Sequence, residues 1–241
     1  MSCVKGLSCD HGKELGMFKR YAVFYTAPPS PFADFCAGWL GWNSRQGVAL
    51  PHPILQDLDV AALTETPRKY GFHGTLKAPF RLATDHSVDD LKTTIAAFAR
   101  QAAPVILDGM ALGRHHGFLA LRPVGNTAAL DALAARTVAD LDHFRAFATD
   151  GELARRRQAD LTERQEQNLT KWGYPYVMAD FQFHLTLSGR LEERLAQKVL
   201  AQLEPILSPL LPRPFPIDHI TLMGQAEDGM FYEIHRYALS G

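Results

Sequence analysis

Hydrophobic positions recur along this chain with two different periods, and the change from one to the other marks out its elements. Short runs of aromatic and β-branched residues, bounded by proline or glycine, predict strands at 21–26, 69–80, 105–112, 118–122, 181–187, 216–223 and 230–238. The first run, YAVFYT, is closed by Pro28, Pro29 and Pro31, which cannot donate to a ladder. The runs 105–112 and 118–122 are joined across Gly113 and Gly117, a hairpin signal. Spacings of three and four predict helices at 87–103, 127–147 and 192–207, with short ones at 34–40 and 60–63. In 87–103 the stripe is Val88, Leu91, Ile95 and Phe98, preceded by Ser87 as N-cap, with Asp89 and Asp90 in the first turn. Residues 151–171 are helical in propensity but strongly polar, with Leu153, Leu161 and Leu169 as their few apolar anchors. They read either as a solvated helix or as an arm over a cleft that supplies arginines.

The same order of elements occurs twice. The shift that lays His73 on His184 lays Phe72-His73-Gly74-Thr75-Leu76 over Phe183-His184-Leu185-Thr186-Leu187, and without a gap it puts Ile106 on Ile217 and Gly113 on Gly224. The expectation is an α+β fold, internally duplicated and bilobed: two antiparallel sheets around a central cleft with helices outside. The repeats at about 69–122 and 181–238 would define the lobes of a single domain over 17–241. Residues 1–16 lack a signal-peptide core and read as a leader or disordered segment.

Composition narrows the function. At 241 residues, 46% hydrophobic and 21% charged, the chain has the make-up of a globular protein. Its formal charge of -1 excludes a strongly basic nucleic-acid protein, so any such contact is local. Cys3, Cys9 and Cys36 have no zinc-ligand spacing, which fits a reduced, cytoplasmic protein. No apolar run reaches the roughly 18 residues of a membrane span. A monomer is the simplest expectation.

The chemistry sits on the duplicated strands. Side chains alternate across a strand, so residues two apart share a face about 7 Å apart. In FQFHLTLS the residues Phe181, Phe183, Leu185 and Leu187 form a core face, leaving Gln182, His184, Thr186 and Ser188 on the other. In KYGFHGTLK the residues Lys69, Gly71, His73, Thr75 and Lys77 face one way, with Tyr70 on the core side. Each strand thus presents an imidazole beside a hydroxyl. Cleaving a phosphate ester requires one proton removed from the nucleophile and another delivered to the leaving oxygen, and two imidazoles with pKa near 6.5 suit both tasks at neutral pH. His73 and His184 are the candidate acid/base pair, with Thr75 and Thr186 as donors to the phosphoryl oxygens and Lys77 as an added positive charge. None of these roles needs a metal or cofactor. A third H-x-T-L, His219-Ile220-Thr221-Leu222, falls on Asp108-Gly109-Met110-Ala111 under the same shift and reads as coincidence. His115 and His116 fall in the hairpin turn and read as exposed.

The paired motifs His73-Gly74-Thr75-Leu76 and His184-Leu185-Thr186-Leu187 resemble those of the 2H (two-histidine) phosphoesterase superfamily, whose mark is a repeated H-x-[ST]-hydrophobic motif in a duplicated bilobed fold. The flanking stretches 67–83 and 161–191 resemble a branch of bacterial 2H-like proteins encoded beside phosphonate-degradation genes. That resemblance implies metal-independent cleavage of a small cyclic phosphate or phosphodiester, with a ribose cyclic phosphate the leading candidate. It also draws Tyr70, Arg164, Tyr174 and Tyr176 in as substrate contacts beside Lys77. Two alternatives stay open: an enzyme acting on RNA ends, using Arg155, Arg156, Arg157 and Arg164, and a non-catalytic module that binds a phosphorylated metabolite.

Overall fold

Among the described residues, 18–241, the computed structural model forms strands and helices in the order β1 Arg20–Tyr25, α1 Pro31–Leu40, β2 Trp42–Asn43, β3 Val48–Ala49, α2 Val60–Arg68, β4 Gly74–Phe80, α3 Val88–Gln101, β5 Val105–Leu107, β6 Gly109–His115 and β7 Phe118–Val124. There follow α4 Ala128–Asp140, α5 Asp150–Arg156, α6 Glu163–Trp172, β8 Leu185–Arg190, α7 Glu193–Leu207, β9 Phe215–Ile217, β10 His219–Gln225 and β11 Phe231–Ala238. The expected leader, with Cys3 and Cys9, lies outside the described residues. Cys36 is buried and free.

The architecture is α+β and antiparallel. The main sheet runs β11-β10-β1-β4-β8-β7-β6, and its halves, β11-β10-β1-β4 and β8-β7-β6, are joined through the pair Gly74↔Leu185. A helix follows each histidine-motif strand, and β5 to β7 recur as β9 to β11. The repeats do not fold as separate lobes, however, which corrects the expectation drawn from 69–122 and 181–238. The hairpin β6-β7 of the first repeat pairs with β8 of the second, whereas β10-β11 of the second pairs through β1 with β4 of the first. Helices cross over likewise: α3 packs on β10 and β11, and α7 on β6 and β7. Leu91, Ile95 and Phe98 of α3 and Val199, Leu203 and Leu207 of α7 join one core with Phe183, Leu185 and Leu187. Each half therefore buries apolar surface contributed by both repeats.

Local chemistry sets the boundaries. Ser87 caps α3 through a reciprocal pair of hydrogen bonds with Asp90, worth about 1 kcal/mol. The helix expected at 60–63 continues to Arg68, and the strand expected from Lys69 begins only at Gly74. Between them the chain turns, with Gly71 at φ 70°. The helix expected over 127–147 stops at Asp140. The polar stretch 151–171 is two helices, each started by its own capping box, Thr149 with Glu152 and Thr162 with Gln165. The last histidine strand starts at Leu185, after a 3-10 turn at Met178–Asp180.

Candidate active site

β4 and β8 meet at one point, and both motifs lie there. Continuing the Gly74↔Leu185 register by one residue each way sets His73 across from Thr186 and Thr75 across from His184. All four line a single cavity of about 370 Å³. Gly74 makes the approach possible, because a Cβ there would run into the ring of Phe183 and the side chain of Leu185. Neither the glycine nor its reason is visible from strand alternation alone, although H-G-T in one copy against H-L-T in the other was the available signal.

Both imidazoles are oriented by the same device. His73 Nδ1 is 2.9 Å from the carbonyl oxygen of Gly71, and His184 Nδ1 is 2.7 Å from that of Gln182. A carbonyl only accepts, so each Nδ1 carries the proton and each Nε2 keeps a basic lone pair. Gly71 supplies its carbonyl from a left-handed conformation, and a Cβ there would lie 2.7 Å from Ser44 Oγ. His73 is further fixed by Phe24, stacked at 4.0 Å with the planes 29° apart, and by Tyr70 at 5.6 Å. Burial pushes the His73 imidazole down to about 4; the Gly71 bond opposes this and the nearby His184 adds to it. His184 is also lowered, by burial and by His116, against the Gln182 bond.

His115, expected to be exposed, is buried at the end of β6 and packs 4.9 Å from the His184 ring. Burial lowers it to about 4, with His184, His116 and Arg122 acting in the same direction. His116 Nε2 lies 3.2 Å from Gln182 Oε1, so the hairpin tip is tied to the segment that orients His184. Only the tertiary pairing of β7 with β8 puts this turn beside the motif.

The other sequence candidates separate. Tyr70 and Tyr174 line the cavity with the histidines, Tyr70 from the turn rather than from the core side of a strand. Tyr176 is exposed and lines an adjoining compartment of about 420 Å³, shared with Phe118, Phe181, Gln182 and His115. Lys77 is not in the site. Phe24 stands opposite Thr75 but Val23 stands opposite Lys77, so Leu76 is an extra residue, a β-bulge that reverses the alternation. Lys77 therefore shares the buried face of Val23, where its ammonium donates to Asp142 Oδ1 and the carbonyl of Val138, each at 3.1 Å. Burial lowers it to about 8, against the pull of Asp142. Arg164 does not line either compartment; both its Nε and a terminal nitrogen hold the carboxylate of Asp180, at 2.6 and 3.0 Å. Thr221 of the third H-x-T-L is buried against Thr26, and His219 is held by Asp218, both away from the cavity.

Sequence reasoning left Arg156 open, as part of an arm over a cleft, and missed Arg20 and Arg190. Arg20, Arg156 and Arg190 all face the 370 Å³ cavity, and among the described residues no carboxylate does. Among the described residues none of the three forms an ion pair. An anionic ligand is therefore the natural complement, in a chain whose formal charge is only -1.

A model of a family described as "Protein of unknown function (DUF1045)" matches residues 75–232. Two curated relatives are both named ribose 1,5-bisphosphate phosphokinase PhnN. The one from Janthinobacterium sp. (strain Marseille) is 34% identical over 235 residues, 92% of this chain and 51% of the relative. The one from Laribacter hongkongensis (strain HLHK9) is 32% identical over 222 residues, 90% and 51%. The chain thus spans about half the length of the curated relatives it matches. Among solved structures, one described as a phosphoesterase covers 92% of this chain and 99% of its own, with a TM-score of 0.43 and 13% identity. E. coli LigT complexed with NADP+ covers 93% and 99%, with 0.41 and 13%.

Proposed function

The chain belongs to the DUF1045 family, and from that premise we propose that it is a two-histidine phosphoesterase that hydrolyses a small cyclic phosphate ester by general acid/base catalysis between His73 and His184. The observation that carries this is the matched pair of imidazoles, each held at Nδ1 by a carbonyl two residues back, in one cavity lined by cations. In the forward step Nε2 of His73 takes a proton from water as its oxygen bonds to phosphorus. Nε2–H of His184 gives a proton to the ring oxygen as the P–O bond breaks, and the two rings exchange protons with solvent before the next turnover. His73 is assigned the base because burial holds it neutral at pH 7. His184 is the acid; a bound phosphate anion favours its charged form and offsets its lowered pKa. Thr75 and Thr186 donate to the non-bridging oxygens, and Arg190 neutralises their charge.

A phosphorylated ribose is the substrate class favoured by the name of the two relatives. Their phosphokinase activity is not carried over, since the chain spans half of each and has no G-x-x-x-x-G-K-[ST] loop for nucleotide phosphates. The RNA-end alternative loses two of its arginines to ion pairs, Arg157 to Glu166 and Arg164 to Asp180. A small substrate is the better fit.

The test is a panel of ribose cyclic phosphates in the presence of EDTA. Turnover should persist with the chelator and fall by about 10²–10⁴-fold in His73→Ala and in His184→Ala. Activity abolished by EDTA, or retained in both variants, would overturn the proposal.

A further inference from the structure

The cavity holds more positive charge than the chemistry uses. A cyclic phosphodiester carries a single negative charge, which one guanidinium and two hydroxyl donors can meet. Arg190 borders both compartments, on the His184 side. Arg20 and Arg156 border only the compartment that contains His73, and they extend from it into a second groove formed with Arg145 and Arg155. Both are held in place by neutral partners. Arg20 Nε donates to Gln225 Oε1 at 2.7 Å, and Gln225 is itself anchored to the Gly229 carbonyl. The Arg156 guanidinium lies over the Tyr174 ring, 4.7 Å from its centre. Glu152, which lines the second groove with this pair, is already gripped by Arg81 at 3.1 and 3.3 Å. Burial lowers the pKa of Arg20, with Tyr70 and Glu152 opposing and Arg155 and Arg156 adding repulsion. Two like charges held half-buried over a cavity that no described carboxylate lines cost free energy until an anion joins them.

We infer that Arg20 and Arg156 form a second anion subsite, which takes a non-reacting phosphomonoester borne by the same small substrate whose other phosphate sits between His73 and His184. The inference rests on the proposed function and names its substrate class: a sugar cyclic phosphate with a terminal phosphate. Binding energy from that remote group would be used to orient the ring phosphate.

The experiment compares kcat/KM for a ribose cyclic phosphate with and without a 5-phosphate, in the wild type, Arg20→Gln and Arg156→Gln. The wild type should favour the phosphorylated substrate by tenfold or more, mainly through KM, and each substitution should bring the ratio toward one. A wild-type ratio near one, or a ratio unmoved by both substitutions, overturns the subsite while leaving the two-histidine chemistry standing. If neither substrate turns over, the proposed function fails and the subsite is still decided by calorimetric titration with ribose 5-phosphate. Binding weakened tenfold or more in both variants supports it, and binding that is absent or equal in all three proteins overturns it. Arg156 is the last residue of α5, a helix with no fully buried residue, so Arg156→Gln gives a readout even if Arg20→Gln fails to fold.

Discussion

At the scale of single residues, the site is governed by how far water is kept from two rings. Phe24 covers one face of His73, and burial lowers that imidazole to about 4. The neutral base form should then persist to acid pH, so kcat/KM should rise as His184 takes up its proton below neutral pH and fall again only as pH approaches about 4. Phe24→Ala admits water, raises the pKa toward its ordinary value and should move this acid limb upward in a pH–rate profile; an unmoved limb would exclude His73 as its source. The same shifts act on stability. His73, His115 and His184 all have lowered folded pKa values, so the unfolded chain binds more protons below about pH 6.5. Stability should therefore decline as pH falls from about 6.5 toward 4, measured by denaturant titration at several pH values, and less steeply in His115→Phe. Gly74 acts sterically: Gly74→Ala should cost about 1–3 kcal/mol by pushing β4 from β8, read as a lower unfolding midpoint with loss of activity.

At the scale of elements, one extra residue decides which side chains reach the cleft. The bulge at Leu76 sends Lys77 to the core, where it pairs with Asp142, instead of to the face it would share with His73 by simple alternation. Lys77→Ala should therefore destabilise the protein by about 2 kcal/mol, less than the 3–5 for a fully orphaned buried charge because Arg145 still holds Asp142 at 2.8 Å. Its KM should be unchanged at a temperature where the variant is folded; a raised KM with unaltered stability would return Lys77 to the substrate. Period made α3 and α7 legible, because their apolar stripes are long and regular, and the Ser87 cap marked the start of α3. They made 151–171 less so. The break between α5 and α6 lies in the second capping box, at Thr162, where polar propensity was uniform on both sides. That stretch does supply an arginine to the cleft, Arg156, which sequence pattern left undecided.

At the scale of the whole molecule, the two repeats are interleaved. Since β6-β7 pairs with β8 of the other repeat, β10-β11 reaches β4 of the other repeat through β1, and each repeat's helix covers the other's hairpin, neither 69–122 nor 181–238 has a core of its own. Calorimetry should show one cooperative unfolding transition, and two resolved transitions would contradict the shared core. Among the described residues no helix is long and apolar enough to cross a membrane.

The amino-acid sequence by itself determined that two imidazole–hydroxyl pairs exist, each at the start of a strand with a core face, and that an α+β unit recurs around them. Those are consequences of local period, which a linear chain displays. The tertiary structure alone decided that the pairs face one cavity, that Arg20, Arg156 and Arg190 line it, that His115 packs beside His184, and that Lys77 and Arg164 are spent on ion pairs. Such facts depend on strand register, a bulge and contacts between residues far apart in the chain. A one-residue offset in register changes the face on which every later side chain lies, and nothing in the local pattern records it.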